Sequence, residues 1–151
     1  MTHALDRFRL DGRRALITGS GRGIGLTLAR GLAEAGAAIV INDRNEEKAA
    51  TLARQFRDEG FAADHAVFDV AEHAQVRAAV DDFEARVGAI DILVNNAGIQ
   101  RRAPLDAFDP ADWHALMRVN LDGVFNVAQA VARHMIARGR GKIINICSVQ
   151  S

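Results

Sequence analysis

The most constraining feature of this sequence is a cluster of four glycines within the eight residues 18–25. An apolar run over residues 15–17 precedes the cluster, and apolar residues at helical spacing follow it. A strand, a glycine-rich turn and a helix in this order present backbone N–H groups at a helix N-terminus, where a phosphate can bind. The cluster therefore predicts a dinucleotide-binding loop, and an ordinary structural turn is the alternative.

Apolar runs and helical patterns alternate along the rest of the chain. The helical pattern over residues 109–137 begins with a candidate N-cap, Asp109, and has Pro110 at its first position. Largely unbroken apolar runs are typical of strands covered on both faces. The alternation predicts an α/β fold with a doubly wound parallel sheet of the Rossmann type, whose ligand crevice lies where the strand order reverses. The five predicted strands cover residues 15–17, 37–41, 62–70, 90–94 and 143–146.

The charge balance and the single cysteine limit the classes of partner. Nineteen basic and nineteen acidic residues cancel, so no global field favours nucleic acid or an anionic membrane surface. No segment resembles a signal peptide or a membrane span, and Cys147 cannot form a disulfide within the chain. The five histidines show no metal-ligand spacing, and no metal is expected. We therefore expect a cytoplasmic protein whose partner is a small molecule.

Charged residues near the predicted loop bear on the choice of cofactor. Asp43 follows the second predicted strand, 18 residues beyond Gly25, which is near the spacing at which an acidic residue reaches the adenosine ribose. This carboxylate would bind a free 2′-hydroxyl and repel a 2′-phosphate, whereas Arg22 and Arg44 could pair with that phosphate. Two cations against one anion favour NADP, and NAD is the alternative.

Two motifs together resemble those of one family. Residues 18–25 have the spacing TGxxxGxG, and residues 95–98 read Asn-Asn-Ala-Gly after the fourth predicted strand. In both respects the chain is similar to short-chain dehydrogenases/reductases. The resemblance implies NAD(P)-dependent interconversion of a secondary alcohol and a ketone. The cofactor-binding residues expected from the loop, the charges and the resemblance are Gly19, Ser20, Arg22, Gly23, Ile24, Gly25, Asp43, Arg44, Asp69, Val70, Asn96, Ala97 and Gly98.

Three polar residues have roles implied by the resemblance and also plainer alternatives. By the resemblance, Asn120 belongs to a catalytic water relay, Ser148 is catalytic and holds the reacting substrate oxygen, and Asp69 lies beside the adenine. Asn120 could instead have a structural role, because Asn is a poor helix former. Ser148 could simply end the fifth strand, and Asp69 could cap the helix that follows it.

Two shorter stretches narrow the resemblance to a subfamily. Residues 93–102 and 145–151 look like those of family members that interconvert gluconate and 5-ketogluconate. The implied substrate is a small sugar acid, so a guanidinium of Arg101 or Arg102 could bind its carboxylate in a bidentate manner. A solvated arginine pair is the alternative. Apolar residues on more than one face of the helix over 109–137 imply a further packing partner, which we expect to be another subunit of a homo-oligomer.

One departure from the family pattern is equally informative. The family's chemistry needs a Tyr and, four residues later, a Lys beyond the active-site Ser. The 151 residues contain no tyrosine, and their lysines, Lys48 and Lys142, precede Ser148. We therefore expect residues 1–151 to be a dinucleotide-binding domain that is incomplete at its C-terminus and truncated after the fifth strand. Such a chain would be inactive by itself, so a non-catalytic dinucleotide-binding fragment is the alternative function. Its fifth strand would be an unprotected sheet edge that promotes aggregation.

Overall fold

Parallel strands and helices alternate in the computed structural model, which describes residues 4–148. The strands are β1 (Arg14–Ile17), β2 (Ala38–Asp43), β3 (Ala63–Val67), β4 (Ile92–Asn95) and β5 (Lys142–Asn145). The helices are α1 (Gly23–Glu34), α2 (Glu46–Asp58), α3 (His73–Arg86), α4 (Pro110–Met117) and α5 (Gly123–Arg138). Short 3₁₀ turns cover Ala4–Phe8 and Leu105–Ala107, and a π-helical turn, Arg118–Asp122, joins α4 to α5. No helix in residues 4–148 is long and apolar enough to cross a lipid bilayer.

Local sequence explains where several helices begin and end. The Asn45 side chain caps α2 by accepting the N–H of Lys48 at 2.9 Å. Asp109 caps α4 by accepting the N–H of Ala111 at 2.8 Å, so the predicted cap at this residue is confirmed. α5 ends at Arg138, and the next residue, Gly139, has a φ of 70°, a left-handed conformation that glycine adopts without steric penalty.

The strand order of the sheet determines where its crevice lies. Within residues 4–148 the order is β3-β2-β1-β4-β5, and every neighbouring pair is parallel. The chain builds the sheet outward from β1 to β3, and then crosses back to add β4 and β5 on the other side of β1. The order thus reverses between β1 and β4, where Ile17 pairs with Ile41 on one side and Val94 on the other. This topology confirms the predicted doubly wound sheet and puts its crevice at the carboxyl ends of β1 and β4.

Helices cover both faces of the sheet. Successive buried residues of β1 point to opposite faces: Ala15 and Ile17 pack in the cluster that includes α1 and α2, whereas Leu16 packs in the cluster that includes α3 and α5. The largest side chains that the helices contribute are Phe56 to the first cluster and Phe83 to the second. Burial on both faces explains why the strands are apolar without alternation.

The bounds of most strands agree with the sequence prediction within two residues, and two elements differ from it more. The third strand ends at Val67 rather than at residue 70, because the buried amide of Asn42 donates to the carbonyls of both Ala66 and Phe68 and draws the chain out of the sheet. The helix predicted over 109–137 is divided by the π-helical turn at Arg118–Asp122. π turns of this kind occur frequently at functional sites, and this one contains Asn120.

Candidate functional site

The loops that follow β1 and β4 are joined through one buried side chain. Thr18 is 1% exposed, and its Oγ1 accepts the N–H groups of Asn96 and Ala97 at 3.0 Å each. The Asn96 side chain returns a hydrogen bond from Nδ2 to the carbonyl of Thr18 at 3.0 Å. The glycine cluster and the Asn-Asn-Ala-Gly segment therefore form one structural unit at the point where the strand order reverses.

Asn42 supports this unit from β2 and was missed by the sequence analysis. Its Oδ1 accepts the N–H of Gly19 at 3.1 Å, and its side chain is almost fully buried. Its backbone N–H donates to Oγ of Ser20 at 3.0 Å. The sequence did contain one signal, a polar residue near the end of an otherwise apolar strand. Such a polar side chain is costly to bury unless it is hydrogen-bonded.

Ser20, which the sequence predicts to contact the cofactor, is buried within the glycine loop. Its hydroxyl donates to the carbonyl of Ile17 at 2.8 Å, and its N–H donates to the carbonyl of Asn42 at 3.0 Å. The residue is fully buried and does not line the groove between the loops that follow β1 and β4. In this geometry Ser20 uses its hydroxyl hydrogen and its N–H to fix the shape of the glycine loop, and its predicted contact with the cofactor stays a prediction.

The N-terminus of α1 is open to an anionic ligand. Its N-cap, Arg22, is in an extended conformation and makes no side-chain capping bond, and the first turn contains no acidic residue. The first N–H groups of the helix therefore lack a capping side chain, and the positive end of the helix dipole is uncompensated. A Cβ atom at Gly25 would lie 2.5 Å from both the carbonyl oxygen of Gly19 and Nδ2 of Asn96, so only glycine allows this close approach.

The two loops border a groove of about 490 Å³ at the carboxyl ends of β1, β2 and β4, which we call the switch-point groove. Every predicted cofactor residue except Ser20 lines it: Gly19, Arg22, Gly23, Ile24, Gly25, Asp43, Arg44, Asp69, Val70, Asn96, Ala97 and Gly98. The lining also includes residues that sequence reasoning missed: Asn42, Lys48, Phe68, Ile99 and Val119. Phe68 and Val119 give no sequence signal, because only tertiary packing brings them to the groove.

Asp43 is a partly buried carboxylate with donors on both oxygens. Oδ2 is 2.9 Å from Nζ of Lys48, and Oδ1 accepts the N–H of Asn45 at 3.0 Å. Burial alone would raise the pKa of Asp43, but the hydrogen bonds from Asn45, Lys48 and the Arg44 backbone outweigh it and hold the pKa below its ordinary value. Asp43 is therefore ionised at neutral pH.

A second ion pair spans the ends of β2 and β3. Arg44 Nη1 lies 3.3 Å from Oδ2 of Asp69, and the arginine side chain is 75% exposed. The other carboxylate oxygen of Asp69 accepts the N–H of Ala71 at 2.9 Å. Asp69 thus stabilises the turn that precedes α3 and also lines the groove. The geometry therefore allows Asp69 both to stabilise this turn and to face a ligand.

The π-helical turn is attached to the loop after β4 through Asn120. Its side chain makes two hydrogen bonds with the backbone of Ile99, which directly follows the Asn-Asn-Ala-Gly segment. A Cβ atom at Gly98 would lie 3.4 Å from Oδ1 of Asn120. Asn120 therefore has a structural contact at the groove edge, and the water relay implied by the resemblance stays a prediction.

The predicted catalytic serine and substrate arginines lie at the same end of the sheet. Ser148 is exposed, three residues beyond the carboxyl end of β5. Arg101 and Arg102 are exposed beyond the loop after β4. Arg101 Nε is 3.0 Å from Oδ1 of Asp112, and both side chains are 49% exposed. Arg101 therefore already pairs with a carboxylate of the chain.

Comparisons with known proteins agree with this geometry. The family profile described as short chain dehydrogenase matches residues 13–151. A gluconate 5-dehydrogenase of Gluconobacter oxydans is 58% identical over 151 residues, covering 100% of this chain and 59% of that protein. A 5-keto-D-gluconate 5-reductase of Escherichia coli is 49% identical over 146 residues, covering 97% of this chain and 58% of that protein. The chain thus spans somewhat under two thirds of the length of these relatives.

A solved structure gives the same agreement in three dimensions. The crystal structure of a gluconate 5-dehydrogenase from Burkholderia cenocepacia, in complex with NADP and tartrate, is 96% identical in sequence and superimposes with a TM-score of 0.97. The alignment covers 98% of this chain and 58% of that one.

Proposed function

Because the chain belongs to the short chain dehydrogenase family, we propose that the switch-point groove binds a nicotinamide dinucleotide and that the whole protein interconverts a secondary alcohol and a ketone. The observation that carries this proposal is the junction at Thr18, which joins an uncapped helix N-terminus to the loop after β4. An uncapped N-terminus behind a glycine turn suits a pyrophosphate.

The residues present fit such a cofactor. The absence of a Cβ atom at Gly19 and Gly25 lets the glycine loop pack closely against Ala97 and Asn96, and this packing would hold the α1 N-terminus where a pyrophosphate could bind. Asp43 would face the adenosine ribose, and Arg22 and Arg44 would pair with a 2′-phosphate. These cations favour NADP over NAD, and the NADP bound in the Burkholderia cenocepacia relative supports that choice.

The proposed chemistry distributes roles among the cofactor and this chain. When bound, the nicotinamide supplies or accepts the hydride. Ser148 would donate a hydrogen bond to the reacting oxygen of the substrate, and Asn120 would keep the loop after β4 in place. No tyrosine occurs among the 151 residues, so the proton-transfer step is assigned to no residue of this chain.

The proposed substrate is a small sugar acid, with gluconate oxidised to 5-ketogluconate or the reverse. The names of the two curated relatives support this substrate. Arg101 and Arg102, exposed beyond the loop after β4, are the proposed anchors of its carboxylate. The Burkholderia cenocepacia relative was solved in complex with tartrate, which is also a small hydroxy acid.

The outer face of α4 and α5 supports a further proposal, that the whole protein is a homo-oligomer. Four large apolar side chains are each more than half exposed along this segment: Trp113 of α4, Leu121 of the π-helical turn, and Phe125 and Ile136 of α5. Several exposed apolar side chains on one helical segment are typical of an interface. We also propose a cytoplasmic location, because a free and exposed thiol such as Cys147 persists in a reducing compartment.

The test is to titrate the whole purified protein with NADP⁺ and NAD⁺ and to follow nicotinamide reduction with gluconate as substrate. We expect binding of NADP⁺ and turnover of gluconate. Absence of binding for both dinucleotides would overturn the proposal. Binding without oxidation of gluconate or of any related polyol would instead favour the alternative, a non-catalytic dinucleotide-binding protein.

A further inference from the structure

Lys48 occupies a position in the switch-point groove that neither the glycine motif nor the acidic residue after β2 predicts. It lies in the first turn of α2, and its Nζ is 2.9 Å from Oδ2 of Asp43. Both side chains line the groove. Because Asn45 already donates to the other oxygen of Asp43, both oxygens of this carboxylate are engaged by donors from the chain.

The pair formed by Asp43 and Lys48 packs directly on the glycine loop. A Cβ atom at Gly21 would overlap the carboxylate of Asp43 and would lie 3.0 Å from Cε of Lys48. A side chain at this position would have to displace the pair from its present arrangement. The exposed fractions are 40% for the Lys48 side chain and 20% for that of Asp43, so solvent screens their attraction less than it would on an open surface.

Lys48 also decides the sign of the local charge. The charged side chains that line the groove are Arg22, Arg44 and Lys48, which are cationic, and Asp43 and Asp69, which are anionic. With Lys48 present the cations outnumber the anions, and without it the two signs balance. An ionised acidic residue after β2 by itself favours a free ribose hydroxyl and disfavours a 2′-phosphate.

We propose that Lys48 is a specificity-determining residue that allows a ribose 2′-phosphate to bind beside Asp43. Lys48 neutralises the nearest anion, and its remaining ammonium protons are available to a phosphate oxygen. Arg22 and Arg44 can then attract the phosphate without opposition from Asp43. This inference rests on the proposed dinucleotide-binding function and extends it to the residue that makes the acidic position compatible with NADP.

The experiment compares Lys48→Met with wild type in the whole protein. Methionine keeps the apolar stem and removes the charge. Dissociation constants are measured for NADP⁺, NAD⁺ and 2′,5′-ADP, the last as a probe of the adenosine half alone. Arg54→Met is the matched control, because Arg54 is a cation of the same helix that does not line the groove. Lys48→Arg tests rescue, and thermal unfolding of each variant reports on folding.

We expect Lys48→Met to weaken NADP⁺ and 2′,5′-ADP by about tenfold, the effect of losing one charge-assisted contact. NAD⁺ binding should change by less than about threefold, since its ribose has no phosphate. Lys48→Arg should restore the preference, and Arg54→Met should behave as wild type. Equal weakening of NADP⁺ and NAD⁺, or no change in either, overturns the role of Lys48. If wild type binds neither dinucleotide, the proposed function itself fails.

Discussion

The side chain of Asn120 pairs with the backbone of Ile99 as a neighbouring strand would. Oδ1 accepts the N–H of Ile99 at 2.9 Å, and Nδ2 donates to the carbonyl of the same residue at 3.0 Å. One amide thus satisfies both backbone groups at the end of the loop after β4. The pairing joins the π-helical turn to the edge of the switch-point groove.

Loss of this pairing should release the loop. Asn120→Ala removes both hydrogen bonds and is expected to lower the free energy of unfolding by about 1–2 kcal/mol, at net values of about 1 kcal/mol for each bond. Asn120→Asp keeps the acceptor and loses the donor, so it should have an intermediate effect. Urea denaturation of the three proteins checks this order. Equal stability of wild type and Asn120→Ala would contradict it.

Gly25 and Gly31 should respond in opposite ways to the same substitution. A Cβ atom at Gly25 would crowd Gly19 and Asn96, whereas one at Gly31 would meet nothing within 4 Å. Gly25→Ala is therefore expected to destabilise the protein by about 1–3 kcal/mol and to weaken dinucleotide binding. Gly31→Ala, the matched control on α1, should raise stability by up to about 1 kcal/mol and leave binding unchanged. Urea denaturation and a fluorescence titration measure the two effects, and similar behaviour of the two variants would refute the close approach at Gly25.

Arg44→Ala should weaken NADP⁺ binding far more than NAD⁺ binding, because the guanidinium has a phosphate to pair with only in NADP⁺. Stability should hardly change, since the ion pair with Asp69 is exposed on the arginine side. Arg54→Ala provides the control for loss of a cation elsewhere. The ratio of the two dissociation constants is the measurement, and equal losses would remove Arg44 from cofactor discrimination.

Arg101 and Arg102 differ in their existing partners, which makes them separable by kinetics. If one of them anchors a carboxylate, its replacement by Ala should raise KM for gluconate about tenfold to a hundredfold, with little change for an uncharged polyol. Asp112→Asn frees Arg101 from its ion pair, so it should lower KM for gluconate if Arg101 is the anchor. Should both Ala variants fail to distinguish the two substrates, the arginines are a solvated pair.

The 151-residue chain, prepared by itself, is expected to associate and to lack turnover. Within residues 4–148, β5 pairs only with β4, and its residues are exposed. Exposed apolar edges of this kind pair with other chains. Ile144→Lys places a charge on this strand and should reduce association. Size-exclusion chromatography with light scattering and a gluconate oxidation assay are the measurements. A monodisperse monomer with turnover would refute both expectations.

Much of the fold follows from local patterns that tertiary structure did not override. The apolar run before the glycine cluster corresponds to β1, and α4 begins after the predicted cap, Asp109. The predicted alternation of strands and helices corresponds to the doubly wound sheet. The family resemblance is confirmed by the profile match over residues 13–151. The extent of β3 was not predictable, because it involves hydrogen bonds from the side chain of Asn42 on another strand. The π-helical turn was not predictable either, because its Asn120 bonds to Ile99, which is 21 residues away in the sequence.

The site was predictable where the backbone geometry needs particular residues. Glycines at positions of close approach, such as Gly25, leave a clear sequence signal. The burial of Ser20 was not predictable, because its contact with Asn42 comes from another strand, and its predicted contact with the cofactor stays a prediction. Lys48 leaves no signal, since its link to Asp43 appears only when α2 folds back on β2. The roles of Asn120 and Ser148 in catalysis stay predictions.

The hydrogen bonds of Thr18 have a consequence for the rate of ligand binding. Because a buried hydroxyl fixes two backbone N–H groups of the opposite loop, the walls of the groove are already ordered before a ligand arrives. We therefore expect binding to cause little loss of backbone entropy at these two loops. Association at these loops should therefore follow simple second-order kinetics. The substitution Thr18→Val keeps the shape of the side chain and removes the hydrogen-bond acceptor. It should slow association, because the loops would then become ordered only when the ligand binds.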